Sequence, residues 1–582
     1  MNDFSRPFVT APETYDVLVI GTGLAGITAA FRCAKEQASV LLCSKTRLCS
    51  GSSFYPLMDT IHCQCTMGPE DEAIFLQDIA EAGKGMNDPW MNQYYVRHIR
   101  ESLSFLSQIG IPVYKLPEPK LACFASHPHD LFFWKNWEEI RRILYTRAEE
   151  ESTLTLKEYI SLCCLITADG QAAGAVFYDS RQDLYVYVKA RRIILASGGF
   201  GALYKHNLNS ADVAGEGHSA ALKAGAPLIN LEFNQFIPGF LSPVYKVVFR
   251  EGSLDYCQGL YDEEGNELLS HYLAKEEIKN CLAKRAPHGP FTTSDGSAPF
   301  DLALFEGALR AEERGVRIAY DPAILSDSRS YIADYTAWLK SDFGLDISKD
   351  PIRIAPFFHA ANGGILVDHR CETGVRGMFA CGECAGGIHG ADRLGGNASG
   401  SCLVFGFLAA QSALADASAS LRFPGRDDAF RQFHACFSKE EDRNLLERDI
   451  AESSLRNPDQ IITRVKELLW RYGNVMRRED LLKKACEEME EMKTHYCAWD
   501  FLSAPDADPK QTQKALLAEH FLTLAPAILE SMRARRESRG SHYREDYPSM
   551  DSAYTLRFAA RLENGRIQLE KRPAILTLPP AE

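Results

Sequence analysis

At 582 residues, 46% of them hydrophobic, the chain is too long for one core and reads as roughly two to four globular domains. Its formal net charge of −14 argues against a nucleic-acid binder. No continuous apolar run reaches about 20 residues, so no membrane-spanning helix is expected. Met1–Thr14 lacks the hydrophobic core of a signal peptide. Together with 17 irregularly spaced cysteines, read as reduced thiols, this predicts a cytoplasmic protein.

Tyr15–Ile20 (YDVLVI) reads as a buried parallel strand, and Gly21-Thr22-Gly23-Leu24-Ala25-Gly26 follows at once. Ile27–Lys35 continues as an alanine-rich helix, and Val40–Leu42 is a second strand that runs into Cys43-Ser44-Lys45. Strand, G-x-G-x-x-G, helix, strand is the dinucleotide fingerprint in its proper setting. The first glycine makes the turn, the second admits a pyrophosphate, and the third lets helix and strand pack. The helix N-terminus supports the phosphate charge. Ser44-Lys45 stands where an acidic ribose contact would be, which weighs against a simple NAD dehydrogenase. The small-residue loop Leu48–Tyr55, with Gly51, Ser52 and Ser53, is suited to wrap a flavin. It carries serines where a covalently flavinylated protein needs a histidine, and the sequence around His62 does not fit such a link. FAD is therefore expected to bind non-covalently. Cys63 and Cys65 have no second pair and read as thiols, so no metal site is expected.

Asp71–Gly83 and Met91–Ile109 have the periodicity of amphipathic helices. Lys115–Phe133 is predicted as a loop in which His127 and His129 have surface or packing roles, and Trp134–Glu151 as a helix. Tyr159–Ala168, Ala172–Asp179 and Leu184–Lys189 alternate like a meander. Arg192–Ala196 reads as a further buried strand, closed by Ser197-Gly198-Gly199-Phe200-Gly201. Gly215-Glu216-Gly217-His218 opens a helix. From Phe240 to about Pro351 strands shorten and helices become charged, as in an inserted domain that caps a site and excludes water.

His359–Gly406 then reads as the second half of the same site. Met378–Cys381 is a short strand, Gly382-Glu383 offers close backbone approach and a carboxylate, and His389, Arg393 and Asn397 sit in a glycine-spaced loop. A cation and an imidazole there point to a bound anion, with arginine forking to a carboxylate. Asp428–Glu440, Ile461–Tyr472, Arg478–Thr494 and Gln511–Arg536 have helical periodicity and predict a bundle-like domain. Arg533, Arg535, Arg536 and Arg539, interleaved with Glu537, Glu545 and Asp546, read as a salt-bridged surface. Leu556–Leu569 is a predicted hairpin that turns at Glu563-Asn564-Gly565.

Taken together, these motifs resemble the flavoprotein family of succinate dehydrogenase, fumarate reductase and L-aspartate oxidase. The matching stretches are Gly21–Gly26, Ser44-Lys45, Ser197–Gly201, Asn230–Phe236, His359–Gly406, Leu468–Val475 and Arg536–Pro548, in the family's order over nearly the whole chain. The resemblance implies an α/β fold with a Rossmann-like FAD-binding domain in two segments, residues 1–236 and 352–425. It further implies an inserted α+β capping domain at 237–351, a helical C-terminal domain at 426–555 and a tail with the hairpin at 556–582. By resemblance Gly21–Gly26 would hold the FAD pyrophosphate. Ser44, Lys45, Gly51, Ser52, Ser53, Ser197, Gly198, Gly199, Glu216 and Gly382 would line the cofactor. Glu383 would take its ribityl or ribose hydroxyls, and Asn397, Ala398 and Ser399 would lie at the isoalloxazine end. His359 and Arg393 would grip a substrate carboxylate.

The departures from the family pattern are specific. The family run Gln-Phe-His-Pro-Thr is here Gln235-Phe236-Ile237-Pro238-Gly239, and Ile237 cannot hydrogen-bond a second carboxylate. The family's Thr-Glu becomes Arg250-Glu251. The motif of its proton-shuttling arginine is matched best by Asn280–Arg285, with Asn280 at the shuttle position, so Arg250 and Arg285 stand as candidate replacements. Three readings follow. The first is an FAD oxidoreductase that transfers hydride at a C–C bond beside a carboxylate and does not act on plain fumarate. The second is an L-aspartate oxidase. The third is a flavin-bearing electron-transfer subunit with a degraded substrate site. The chain has no haem-attachment motif and no iron–sulfur cysteine series. Electrons are therefore expected from an iron–sulfur or ferredoxin-like partner or a nicotinamide, or they leave to oxygen.

Overall fold

The computed structural model describes residues 6–55, 57, 61–312, 314–416, 421–439, 457–504 and 508–577. Residues 1–5 of the Met1–Thr14 segment, Glu440 at the end of the first predicted C-terminal helix and the last residues of the tail, 578–582, lie outside these. The central sheet has seven strands. Its order is Leu154–Lys157, Val40–Cys43, Phe8–Ile20, Leu184–Leu195, Gln171–Asp179, Ile160–Ala168, and Met378–Ala380 pairs with Leu184–Leu195 from outside this path. The first four strands and Met378–Ala380 run parallel, and the meander is antiparallel. Met378 lies opposite Ile193 and Ala380 opposite Leu195, so the second half of the site is brought to the first by sheet pairing. Leu184–Leu195 is one strand rather than the two predicted. Ala190 and Arg192 remain in register with Tyr15 and Val17, so the Arg191-Arg192 pair does not break it.

The stretch expected as a loop at Lys115–Phe133 contains strand instead. Tyr114–Lys115 and Asp130–Trp134 join Ile61–Cys65 in an antiparallel sheet. Trp134 ends that sheet, and the helix begins only at Trp137, where the left-handed Asn136 (φ 69°) accepts from the Glu139 amide. His129 is fully buried against Asp71, Nδ1 to Oδ2 2.8 Å.

Asn234–Ser242, Arg353–Ala361, Val316–Tyr320 and Cys257–Tyr261 form a second, antiparallel sheet. With the helices Lys275–Arg285, Ala298–Arg310 and Ser330–Phe343, it makes an α+β cap over the FAD-binding unit. Helices Arg426–Phe437, Pro458–Tyr472, Glu479–His495 and Pro509–Ala534 form the helical C-terminal unit. Its closing hairpin, Leu556–Glu563 and Arg566–Pro573, pairs with Leu228–Ile229 and so ties the C-terminus back to the FAD-binding unit. Two described helices, Asn397–Ala415 and Pro509–Ala534, are long and apolar enough to cross a membrane by length and composition. Both are mostly buried inside the fold, which accounts for their apolarity. All 17 cysteines are free thiols.

The arginine-rich stretch expected on the surface divides: Arg536, Glu545 and Asp546 are exposed and Arg533 is half-buried, but Arg535, Glu537 and Arg539 are interior. Arg535 Nε meets Glu232 Oε1 at 2.7 Å, and its Nη1 meets Glu537 Oε1 at 2.8 Å. Glu537 also binds Arg539, and the Arg535, Glu232 and Glu537 side chains are fully excluded from solvent. At these positions the interleaved signs that read as a solvated face are a buried ionic lattice, because Glu232 arrives from the FAD-binding unit.

Candidate active site

Strand Phe8–Ile20 runs into Gly21, whose φ of +117° suits glycine alone. A Cβ there would lie 2.3 Å from the Ala196 carbonyl oxygen, and one on Gly26 would lie 1.9 Å from that of Gly21. Gly23 differs, since its nearest neighbour would be Ser53 Oγ at 3.8 Å. Its open side faces a cleft of about 830 Å³, counting the solvent-open mouth. Thr22, Leu24, Ala25, Ser44, Lys45, Gly51, Ser52, Ser53, Ser197, Gly198, Glu216 and Glu383 also line this cleft. Lys45 Nζ is bonded to Glu216 Oε1 at 2.6 Å. The Leu24 amide, at the helix N-terminus, donates to Ser53 Oγ at 3.3 Å.

Glu383 reaches the cleft from the turn after Met378–Ala380. Its Oε1 accepts from the Ala361 amide at 2.9 Å, and a Cβ on Gly199 would strike the same carboxylate at 2.4 Å. Burial pushes the Glu383 carboxyl above the ordinary range, against the pull of Arg393. Residues from both halves of the chain thus line one cleft, whereas Gly26, Gly199, Gly382, Asn397, Ala398 and Ser399 of the sequence-predicted set are not part of its lining. Its glycine floor, its helix N-terminus and the Glu383 carboxylate fit a bound FAD, with Glu216, which also lines the cleft, paired to Lys45.

Beyond Glu383 the site changes character. Arg393 is buried, with Nε donating to Gln235 Oε1 at 3.0 Å and Nη1 to the Leu394 carbonyl at 3.3 Å. Burial lowers its pKa, and Glu383 opposes that shift. His359 occupies a β-bulge, because Gln235 pairs with Ala360 while Phe236 pairs with Phe358. The extra residue re-aims its side chain. Burial, then the nearby Arg393, pushes His359 down to about 3, and the same causes hold His389 well below its usual range. Both imidazoles are therefore neutral beside a guanidinium. His359 Nδ1 and Gln235 Nε2 are buried without a protein partner among the described residues. Buried donors and acceptors in that state point to a ligand.

Asn397 opens helix Asn397–Ala415, with its Oδ1 3.1 Å from Tyr95 Oη. Ser399 donates back to the Gly396 carbonyl at 3.1 Å and to the His62 carbonyl, so its hydroxyl is engaged in holding the turn. Ala398 lies half-buried between them. Phe236 packs on Tyr204 and Phe358, at 5.5 and 5.8 Å between ring centroids. Strand alternation therefore puts Gln235 and Ile237 together on the opposite face, where Gln235 meets Arg393.

The cap residues divide. Glu251 is half-buried at the start of a short helix, and Cys123 Sγ donates to its Oε1 at 3.7 Å. Arg250 precedes that helix and is half-buried. Arg285 has no solvent exposure. It forks onto Asp301 at 2.7 and 3.1 Å, and it also binds the Gly289 carbonyl at 2.6 Å and the His288 carbonyl. The expectation that Arg285 handles a proton is corrected on this geometry: its guanidinium is committed to holding the 288–289 loop. Asn280, on the same helix, is exposed. Sequence reasoning missed Gln235 as a tether and Cys123 as a partner of Glu251. Gln235 had a signal in the retained Gln-Phe of the family run, and Cys123 had none.

A two-segment Rossmann-like fold with this cleft and buried cation defines an FAD-dependent oxidoreductase. A family model described as FAD binding domain matches residues 16–399, and one described as fumarate reductase flavoprotein C-term matches residues 462–582. The chain accordingly belongs to the fumarate reductase and succinate dehydrogenase flavoprotein family, among whose members are L-aspartate oxidases. It is similar to the fumarate reductase flavoprotein subunit of Escherichia coli, at 26% identity over 97% of this chain and 95% of that one. L-aspartate oxidase of Vibrio cholerae is 26% identical, over 92% and 96%. Among solved structures, Mycobacterium smegmatis Sdh1 in complex with UQ1 superposes with a TM-score of 0.79 over 98% of this chain and 96% of that one. At 23% identity that likeness speaks for the fold.

Proposed function

We propose that the protein interconverts a C–C single and double bond beside a single carboxylate, with the cofactor held non-covalently, and that plain fumarate is not its substrate. One observation carries this reading: a buried guanidinium is tethered by Gln235, adds to burial in lowering the pKa of two neighbouring imidazoles, and feels the Glu383 carboxylate that lines the cofactor cleft. Bound FAD supplies hydride chemistry. Arg393 receives the carboxylate in a place where water cannot screen it, and His359 adds a neutral hydrogen bond. The pair also stabilises charge that builds on that carboxylate as the neighbouring carbon gains or loses its proton. Ile237 shares the face of Gln235 and offers no donor, so a second carboxylate there would be desolvated without a partner. Gly21–Gly26 and the helix behind them support the pyrophosphate, and Glu383 takes hydroxyls. Ser52 stands where a histidine link would be needed, and its Oγ accepts from Asn209 at 3.0 Å. Several relatives are named as flavoprotein subunits, which supports a separate electron-transfer partner, iron–sulfur or ferredoxin-like.

The test is direct. The purified holoprotein is reduced with dithionite and mixed with crotonate, cinnamate or fumarate, and reappearance of the oxidised flavin band is followed. Monocarboxylic enoates should reoxidise it, and Arg393→Ala should abolish this. Efficient reoxidation by fumarate, lost in Arg393→Ala, would overturn the substrate assignment. Peroxide formed from aspartate would instead support the oxidase.

A further inference from the structure

We infer that Cys123 exchanges the proton with the carbon beside the substrate carboxylate, and that Glu251 relays this proton to solvent. The inference rests on the functional reading above, because it names a group for that same reaction.

Three segments meet at this thiol. The Gly395 amide donates to the Cys123 carbonyl at 3.1 Å. A Cβ on Gly395 would lie 3.1 Å from the Cys123 nitrogen and 3.3 Å from its Cβ, so any other residue would push the 122–123 loop back by a few tenths of an ångström. From the cap, Cys123 Sγ meets Glu251 Oε1 at 3.7 Å. Gly289, whose carbonyl is held by Arg285, is the third wall, since a Cβ there would lie 3.5 Å from Glu251 Oε2. Cys123 is half-buried; burial, then Glu251, pushes its thiol up to about 12, while the Gly289 amide and Arg393 pull the other way. It therefore stands between the cation that receives the carboxylate and a cap carboxyl group that reaches solvent.

The neighbouring groups leave the proton task open. Ile237 has no proton to give. Arg285 is committed to Asp301 and two carbonyls. His359 and His389 are held neutral beside Arg393. In the reducing direction bound FAD would supply a hydride to one carbon. At the carbon beside the carboxylate a C–H bond forms as the Cys123 S–H bond breaks. Burial and Glu251 disfavour the thiolate left behind, more than Arg393 and the Gly289 amide favour it, so it is a short-lived species. It recovers a proton as the O–H bond of protonated Glu251 breaks, and Glu251 takes a proton from water at its exposed edge. The sum is one hydride and one proton added across the double bond, and oxidation runs the same steps in reverse.

Iodoacetate tests the geometry, because its reactive carbon also lies beside a carboxylate. Alkylation forms an S–C bond, breaks the C–I bond and releases iodide. The holoprotein is treated with iodoacetate or neutral iodoacetamide, and the 17 cysteines are followed by peptide mass mapping. Iodoacetate should label Cys123 first, and at least about tenfold faster than iodoacetamide does, because the bound carboxylate raises its effective concentration. Arg393→Gln should erase that preference. Glu251→Gln removes a charge that raises the thiol, so it should move the pH profile of Cys123 labelling to lower pH, with the other cysteines unaffected. In the flavin reoxidation assay Cys123→Ala should lose at least about a hundredfold, and Cys123→Ser should recover part of the rate. Equal labelling by both reagents, no labelling of Cys123, or full activity of Cys123→Ala would overturn the assignment. Failed labelling with normal enoate turnover counts against Cys123 alone. Wild-type protein inert to every enoate overturns the functional reading and, with it, this assignment.

Discussion

Gln235 Oε1 accepts from Arg393 Nε at 3.0 Å across 158 residues of chain, joining the first strand of the cap sheet to the glycine loop of the FAD-binding unit. Together with the bond from Nη1 to the Leu394 carbonyl at 3.3 Å, it fixes the plane of a buried guanidinium. Gln235→Leu should therefore keep the cofactor but weaken carboxylate binding. A hydrogen bond to a charged group is worth about 1.5–3 kcal/mol, or roughly tenfold or more. The half-saturating concentration of the best enoate should rise by that factor at unchanged flavin content.

The two glycines of the fingerprint should fail differently. Gly26→Ala drives its Cβ into the Gly21 carbonyl at 1.9 Å, a backbone contact that cannot yield cheaply. It should lower stability by about 1–3 kcal/mol or more and reduce soluble yield. Gly23→Ala meets nothing closer than 3.8 Å, so the protein should fold normally and bind FAD poorly. Thermal melts and the flavin-to-protein ratio separate the outcomes.

Glu537 is shared by Arg535 and Arg539 in the interior. Glu537→Ala would leave buried guanidinium groups short of their counter-charge, which costs about 3–5 kcal/mol. The melting temperature should fall by several degrees, and added salt should not mimic the effect, because ions do not reach buried pairs. A fall no larger than that of an exposed-pair variant such as Lys483→Ala would contradict the buried lattice.

Asp392, beside Arg393 in sequence, is buried and accepts from Thr292 Oγ1 of the cap at 2.7 Å. Burial pushes its carboxyl up to about 8. The unfolded chain ionises near 4 while the folded one stays protonated to about 8, so its contribution to stability is complete below about pH 4. That contribution is lost as the pH rises through the window to about 8. Asp392→Asn, neutral at every pH and still able to accept from Thr292, should flatten this part of the stability profile. It should be more stable than the wild type at pH 8 by denaturant titration.

Much of the site could be read in advance, because local chemistry leaves a local record. Gly21, Gly23 and Gly26 are spaced by the geometry of one turn, and Arg393 stands in a loop whose glycines admit a ligand. The helices of the C-terminal unit showed in their periodicity, and the Glu563-Asn564-Gly565 turn in its residues. What escaped were pairings between segments far apart. Asp130–Trp134 is a strand because Ile61–Cys65 lies beside it, and nothing within the stretch itself says so.

The linear order of residues determined the cofactor fold and its two-segment construction, since period, glycine spacing and charge type are properties of neighbours along the chain. Only the folded molecule decided which charges are spent on architecture and which face the ligand. Arg285 and Arg393 look alike in sequence, yet Asp301 claims one and a glutamine holds the other in place. The physical reason is that a buried guanidinium takes its role from the partners that close around it, and those partners are brought there by packing, not by position in the chain.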